Sequence, residues 1–172
     1  MDVRLAVTSK RDHRNFDARA IPNDVLTRIL DAGRLAGSAR NRQPWRFFVA
    51  QQPQARVRLA PVVYVPAIIM AAPIAVAIAV DGAGSAMSGF DAGRAAQNIM
   101  LAAWDESVAS CPNGIADPDA AHAALGLSAS QVLVTILALG YPARPRDPGR
   151  RSADAWSTRA RRVPLSEIVT EI

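Results

Sequence analysis

The sequence predicts one domain of the α/β or α+β class, covering residues 1–172. Half of its 172 residues are hydrophobic, which is enough for a sizeable core. Four short apolar runs have the composition of strands, and about five segments with helical periodicity lie between them. Neither an internal repeat nor a linker divides the chain, so we expect a single domain.

The N-terminal part alternates helical patterns with polar segments. In order, the predicted elements are a helix over 2–10, a charged loop over 11–20, a helix over 21–37, a polar loop over 38–44, a strand over 45–50 and a short helix over 54–59. The second helix begins near Pro22, because proline and an acidic residue favour the first turn.

Residues 59–80 contain no charge, and the apolar run from Val62 to Val80 is long enough to cross a membrane. Three prolines interrupt this segment, and a proline inside a helix costs about 3 kcal/mol. We therefore predict a short buried helix, a break at Pro73 and a strand over 74–80 that is covered on both faces. A transmembrane helix is the less favoured alternative.

The second half continues the alternation. Its predicted elements are a loop over 81–87, a helix over 90–104, a strand over 108–112, a helix over 117–124, a strand over 131–139, a polar segment over 143–160 and an apolar-punctuated tail over 163–172. No Gly-x-Gly-x-x-Gly pattern follows any strand, so a Rossmann dinucleotide site is not supported.

The charge of the chain points to a phosphorylated ligand. The formal net charge is +5, from 20 Lys and Arg against 15 Asp and Glu. Nearly all the cations are arginine, which binds phosphate through two parallel N–H groups. Nucleic-acid binding is one interpretation, but the arginines gather near the two chain ends without forming a nucleic-acid motif. We therefore favour a small phosphorylated ligand.

Cys111 is the only cysteine, and His13 and His122 are the only histidines. An intramolecular disulfide and cysteine-rich or histidine-rich metal sites are therefore excluded, and we expect no metal. A single cysteine fits a reducing compartment, and no signal peptide is visible, so we expect a cytoplasmic protein. Neither histidine is placed by the sequence to activate Cys111, which disfavours a catalytic thiol.

Polar residues that could bind a ligand form four clusters: Lys10–Arg14, Ser38–Trp45, Ser110–Gly114 and Arg159–Arg162. Each also has a plainer explanation, since basic residues complement a helix C-terminus and polar loops are common at surfaces. The second cluster is unusually dense in amides, which can both donate to and accept from the edge of a planar heterocycle. In the third, an Asn-Gly turn can point a backbone N–H outward.

The ordered set of motifs resembles the nitroreductase family. The resembling positions are Lys10-Arg11-Asp12-His13-Arg14-Asn15-Phe16; Ser38, Asn41, Gln43, Pro44 and Trp45; Asp91, Gly93, Ala95, Gln97 and Asn98; Gly140-Tyr141-Pro142; and Arg162, Pro164 and Leu165. No single motif is specific, but their order is kept over nearly the whole chain.

The resemblance implies an α+β fold with a central, mostly antiparallel sheet flanked by helices. It also implies a homodimer that holds FMN at its interface and exchanges its C-terminal tail. The implied cofactor-binding residues are Lys10, Arg11, Asp12, Arg14, Arg161 and Arg162 near the phosphate and ribityl chain; Ser38, Asn41 and Gln43 near the ribityl and pyrimidine side, partly from the other subunit; and Asn113 and Gly114 near flavin N5.

The activity that the resemblance implies is an FMN-dependent oxidoreduction by a ping-pong mechanism. NADH or NADPH would deliver a hydride, and a nitroaromatic, quinone or similar small acceptor would then be reduced. The cofactor performs this chemistry, so no catalytic side chain is implied. Neither a nucleic acid nor a membrane is expected as a partner.

Two departures from the family pattern concern the pocket. Asp12 stands where the family has serine, as in the branch that fragments reduced flavin, although that branch lacks the asparagine kept here as Asn41. The family's Asn-x-x-Lys contact has no equivalent near Tyr64–Ala67, and the region between Val80 and Phe90 is short. The lid over the active site is therefore expected to be reduced.

Three alternatives remain open at this point. An FMN-dependent oxidase or dehydrogenase of a small molecule would differ only in the direction of electron flow. A non-catalytic flavin-binding protein would bind FMN without turning over NAD(P)H. A basic nucleic-acid-binding protein would be colourless and would bind with steep salt dependence.

Overall fold

The structure is a computed structural model that describes residues 1–82 and 85–172. Its contacts divide the chain into two compact units. The core unit comprises Arg11–Pro145, and the terminal unit comprises Met1–Lys10 together with Arg146–Ile172. The helices and strands below are numbered α1–α7 and β1–β4 in chain order.

A four-stranded sheet forms the centre of the core unit, in the order β1-β2-β4-β3. Its strands are β1 Trp45–Ala50, β2 Ile74–Asp81, β3 Ala109–Asn113 and β4 Gln131–Gly140. Every neighbouring pair is antiparallel. All four predicted strands are therefore present within a residue or two of their expected bounds, and the predicted α+β class with an antiparallel sheet is confirmed.

The second part of the apolar run over 62–80 forms strand β2 of the sheet. In β2 the larger side chains face one core cluster, and the alanines Ala75, Ala77 and Ala79 face a second cluster on the other side. Seven of its eight residues are buried, which requires a strand covered on both faces. Within residues 1–82 and 85–172, no helix has the length and apolarity needed to cross a membrane.

Helices cover both faces of this sheet. They are α2 Asn23–Arg34, α3 Pro53–Leu59, α4 Pro66–Ala71, α5 Ala86–Asp105 and α6 Pro118–Leu125. Helix α5 begins four residues before the predicted Phe90, because Ser85 caps it by accepting a hydrogen bond from the Ser88 N–H at 3.4 Å. The predicted loop over 81–87 is therefore too long by two residues, and its residues 83–84 lie outside the described part.

The terminal unit pairs α1, Val3–Ser9, with α7, Ala153–Arg159. Asp2 and Ser152 cap these helices by accepting backbone N–H groups. Helix α7 lies inside the segment over 143–160, for which the sequence indicated only a polar character and no helix. The missed signal was the buried Trp156, whose Nε1 donates to the Pro148 carbonyl oxygen at 2.8 Å.

Candidate functional site

Residues 11–16, called the edge segment below, run along strand β3 in the core unit. Asp12 forms a parallel bridge to Ser110, and the His13 N–H donates to the Ser110 carbonyl oxygen at 3.1 Å. Phe16 forms an antiparallel bridge to Pro142, just beyond β4. Backbone pairing therefore positions this segment, and the side chain of Arg14 is exposed to solvent.

The hydroxyl of Ser110 lies buried beside the edge segment. Ser110 is 1 % exposed, and its Oγ has no hydrogen-bond partner among the described residues. A buried hydroxyl normally donates or accepts at least one hydrogen bond. The Ser110 hydroxyl is therefore a buried group whose hydrogen-bonding capacity is unused by the described residues.

Asn113 ends strand β3 with its side chain turned into the protein. Its Nδ2 donates to the Val65 carbonyl oxygen at 2.9 Å, and its Oδ1 accepts from the Val65 N–H at 3.3 Å. Its own carbonyl oxygen accepts from the Thr135 hydroxyl at 3.0 Å. The side chain is thus a structural clamp, so only the backbone N–H of Asn113 could serve the predicted contact to a ligand.

The ring of Tyr64 covers the next residue, Gly114. The Tyr64 N–H donates to the Gly114 carbonyl oxygen at 3.1 Å. A Cβ at Gly114 would stand 3.1 Å from the Tyr64 ring, so a side chain there would displace the aromatic group. Tyr64 is 72 % exposed, an unusual state for an aromatic ring inside an apolar run. Sequence analysis missed this residue.

Residues 38–43, called the amide loop below, adopt a strained backbone. Arg40, Asn41 and Gln43 all have positive φ, at 52°, 54° and 49°. The left-handed conformation costs a residue with a side chain about 1–2 kcal/mol, and such strain concentrates at functional sites. The side chains of Asn41 and Gln43 are exposed, as expected for groups that read a ligand.

Two side-chain acceptors hold the amide loop in this form. Ser38 Oγ accepts from the Gln43 N–H at 2.8 Å. Asp91 Oδ2, on helix α5, accepts from the Ala39 N–H at 3.1 Å. The Ser38 hydroxyl, predicted to face the cofactor, therefore fastens the loop as an acceptor and keeps its proton and a second lone pair for a ligand.

The edge segment and the amide loop lie at diagonally opposite ends of the sheet. The amide loop precedes β1, whose first residue Trp45 is level with Val80 and hence with Val132 near the start of β4. The edge segment pairs with Ser110, which is level with Leu139 near the end of β4. Strand spacing and rise place the two about 30 Å apart. One chain therefore does not bring these two predicted sets together.

Three further predicted residues belong to the terminal unit. Lys10 follows α1, and Arg161 and Arg162 follow α7, where both arginines are exposed. Arg161 also has a positive φ of 49°. Their contribution to a ligand site stays a prediction.

Comparison with known proteins agrees with this architecture. A protein of Methanothermobacter thermautotrophicus, named as a candidate NADH dehydrogenase/NAD(P)H nitroreductase, is 27 % identical over 158 residues, 88 % of this chain and 82 % of its own length. A nitroreductase family protein of Clostridium difficile is 26 % identical with a TM-score of 0.84, covering 99 % of this chain and 98 % of that one.

A second solved structure was determined with a ligand. It is a candidate nitroreductase of Desulfovibrio desulfuricans in complex with FMN, 26 % identical with a TM-score of 0.81, covering 100 % of this chain and 98 % of that one. The family model for nitroreductases matches residues 7–69 and 65–141. These ranges include the edge segment, the amide loop and the whole sheet, and on this match the chain belongs to the nitroreductase family.

Proposed function

We propose that this chain is an FMN-dependent oxidoreductase that moves electrons from NADH or NADPH to a small electrophilic acceptor, such as a nitroaromatic compound or a quinone. One observation supports the proposal most directly. The edge segment is fixed by its backbone along β3, so that basic side chains, the Ser110 hydroxyl and the turn at Gly114 share one edge of the sheet.

The residues of this edge fit the phosphate end of FMN. Arg11 and Arg14 can each bind phosphate oxygens through two N–H groups. Asp12 is exposed and can only accept when ionised, so we assign it the orientation of neighbouring guanidinium groups. Lys10, Arg161 and Arg162 are proposed to add positive charge.

The amide loop fits the other end of the cofactor. Asn41 and Gln43 carry both donors and acceptors, which match the alternating groups on a pyrimidine edge. The Ser38 hydroxyl can still donate its proton to a ribityl oxygen, because it is the acceptor in its hydrogen bond with the Gln43 N–H. The loop is held before any ligand arrives, which lowers the entropic cost of binding.

We infer a homodimer from the distance between these two ends. The edge segment and the amide loop are about 30 Å apart in one chain, which supports a site to which a second copy contributes one of them. Two-fold symmetry would then form two equivalent sites. The tail beyond α7 is proposed to pack on the partner, because it exposes the apolar side chains Val163, Leu165, Ile168, Val169 and Ile172.

The chemistry requires little of the protein beyond placement. When bound, FMN supplies hydride transfer in two half-reactions, with the nicotinamide leaving before the acceptor enters. The backbone N–H groups of Asn113 and Gly114 are proposed to serve as hydrogen-bond donors near flavin N5, where a donor would favour acceptance of a hydride. The exposed ring of Tyr64 beside Gly114 offers a flat apolar surface to an aromatic acceptor.

A visible spectrum of the purified chain tests this function. We expect a yellow protein that releases FMN, identified by mass, and that is bleached anaerobically by NADH or NADPH and recoloured by a quinone. A protein that stays colourless with added FMN would contradict the cofactor. Binding without bleaching by either nucleotide would favour a non-catalytic flavin protein instead.

A further inference from the structure

Asp91 is a fully buried carboxylate outside the groups that the proposed function uses. It is 0 % exposed and lies in the second turn of helix α5. Its Oδ2 accepts from the Ala39 N–H, and its Oδ1 has no hydrogen-bond partner among the described residues. Helix α5 packs on α2, and the amide loop begins a few residues after α2 ends.

A carboxylate in this position is costly for the fold. Burying a charged or strongly polar group costs free energy, and a single hydrogen bond offsets only part of this cost. An apolar residue would fill the same space between α5 and the loop at lower cost. What the aspartate adds over an apolar residue is an acceptor for the Ala39 N–H.

The hydrogen bond between Asp91 and the Ala39 N–H lies at the start of the left-handed part of the amide loop. Ala39 is the first residue of the 3₁₀ turn, and the next two residues, Arg40 and Asn41, are both left-handed. The Ala39 N–H would otherwise be an open donor at the start of this turn. Fixing it anchors the strained part of the loop to a rigid helix of 20 residues.

We propose that Asp91 is a positioning residue that holds the amide loop in its ligand-reading conformation through the Ala39 N–H. The inference rests on the proposed function, because it assigns the loop to the flavin ring and ribityl side. Asp91 itself touches no cofactor. Its effect reaches the site through the peptide of Ala39 and the left-handed pair that follows.

Titration of the full-length chain with FMN and with riboflavin tests this role by flavin fluorescence. D91A should weaken both ligands by the same factor, about tenfold, which is the order of a charge-assisted hydrogen bond. D91N keeps an acceptor for Ala39 and should stay within about twofold of the wild type. The melting temperature of D91A should fall no more than that of the control below.

The matched control is N98A, on the same helix. The Asn98 Nδ2 donates to the Ala32 carbonyl oxygen of α2 at 3.1 Å, so this variant loses an equivalent tether that does not reach the loop. It should bind both flavins like the wild type. If N98A and D91A lose melting temperature and flavin affinity in proportion, Asp91 is merely structural and the proposal is overturned.

A39P removes the same hydrogen bond from its other end. Proline is tolerated at the first position of a helical turn, and Ser38 has the extended backbone that precedes proline readily, at φ −138° and ψ 157°. A39P should weaken both flavins like D91A, and the double variant should add nothing. Wild-type affinity in D91A or A39P would overturn the inference, whereas a wild type that binds no flavin would instead overturn the proposed function.

Discussion

The edge segment and the amide loop are positioned by different means. Backbone pairing to Ser110 and Pro142 holds the edge segment, and the rings of His13 and Phe16 pack against Trp104 and the second core cluster. The amide loop depends on two single side-chain acceptors, Ser38 and Asp91, which hold a backbone with three left-handed residues. Loss of Ser38 or Asp91 should therefore disturb the amide loop, whereas the backbone pairing of the edge segment should survive loss of the exposed Arg14 side chain.

This difference should separate substitutions that change ligand affinity from substitutions that change the conformation of the site. Substitutions in the edge segment should change ligand affinity with little change in stability. Substitutions around the amide loop should change the stability or conformation of the loop as well, because its backbone is under strain. Measuring ligand affinity and unfolding free energy for variants of both regions tests this distinction.

The largest effect is expected for R11A/R14A. Loss of two charge-assisted contacts should weaken FMN binding by about a hundredfold or more. Riboflavin, which lacks the phosphate, should bind as it does to the wild type. Fluorescence titration of both flavins measures this split, with the exposed Arg58 on α3, changed to alanine, as control. Equal losses for the two flavins would place the phosphate elsewhere.

The next effect is a loss of stability in N113A. The variant removes both hydrogen bonds between the buried Asn113 side chain and the backbone of Val65, and it leaves a gap at the end of β3. We expect the free energy of unfolding to fall by about 2–3 kcal/mol. T135V removes the single bond to the Asn113 carbonyl oxygen and should cost about 1 kcal/mol. Urea denaturation that ranks the two variants equally would contradict the clamp.

Substitution by glycine in the amide loop should change the free energy of unfolding by a smaller amount, with opposite signs at positions 40 and 42. R40G relieves a left-handed residue at φ 52° and should raise the free energy of unfolding by about 0.5–1 kcal/mol. R42G replaces a residue in the right-handed region, at φ −69°, and should lower it by a similar amount. The same sign for both variants in urea denaturation would show that the loop is not strained as described.

The smallest effect concerns a surface network that links α2 and α5. Arg28 donates to Glu106 at 2.6 Å and to Asp24 at 2.9 Å. Hydrogen bonds from Arg28 hold the pKa of both carboxyl groups below their ordinary values of 4.5 and 3.8. Each contribution to stability is therefore complete above the ordinary pKa and is lost as pH falls through the lowered one.

E106Q tests this network by removing one titrating group. The difference in unfolding free energy between wild type and E106Q should be largest at neutral pH and low salt, and it should shrink below about pH 4. Urea denaturation at several pH values measures it. A difference that grows as pH falls would reverse the assigned sign.

The sequence predicted the sheet well, but it did not predict helix α7 or the contacts that fasten the amide loop. The strands of the core unit were recognisable because apolar runs such as residues 74–80 have the composition of a strand that is buried on both faces. Helix α7 was missed because its apolar content reduces to the buried Trp156 in a polar segment. Local patterns do not encode a single long-range packing contact of this kind.

The roles of Asp91 and Tyr64 also depend on contacts across the fold. Asp91 meets Ala39 from 52 residues away in the chain, and Tyr64 meets Gly114 from a distant loop. The family motif places both Asp91 and Ser38 in the right order, but it does not say that one fastens the loop of the other. Three-dimensional structure was needed to distinguish residues that face the ligand from those that fasten the loop.

A mixing experiment tests the central claim that each flavin site takes its edge segment and its amide loop from different chains. Homodimers of R11A/R14A and of N41A/Q43A should both bind FMN weakly. After subunit exchange, half of the dimers should be mixed, and each should contain one intact and one doubly defective site, restoring about a quarter of the wild-type FMN capacity. Capacity that stays at the sum of the two separate variants would contradict a site shared between two chains.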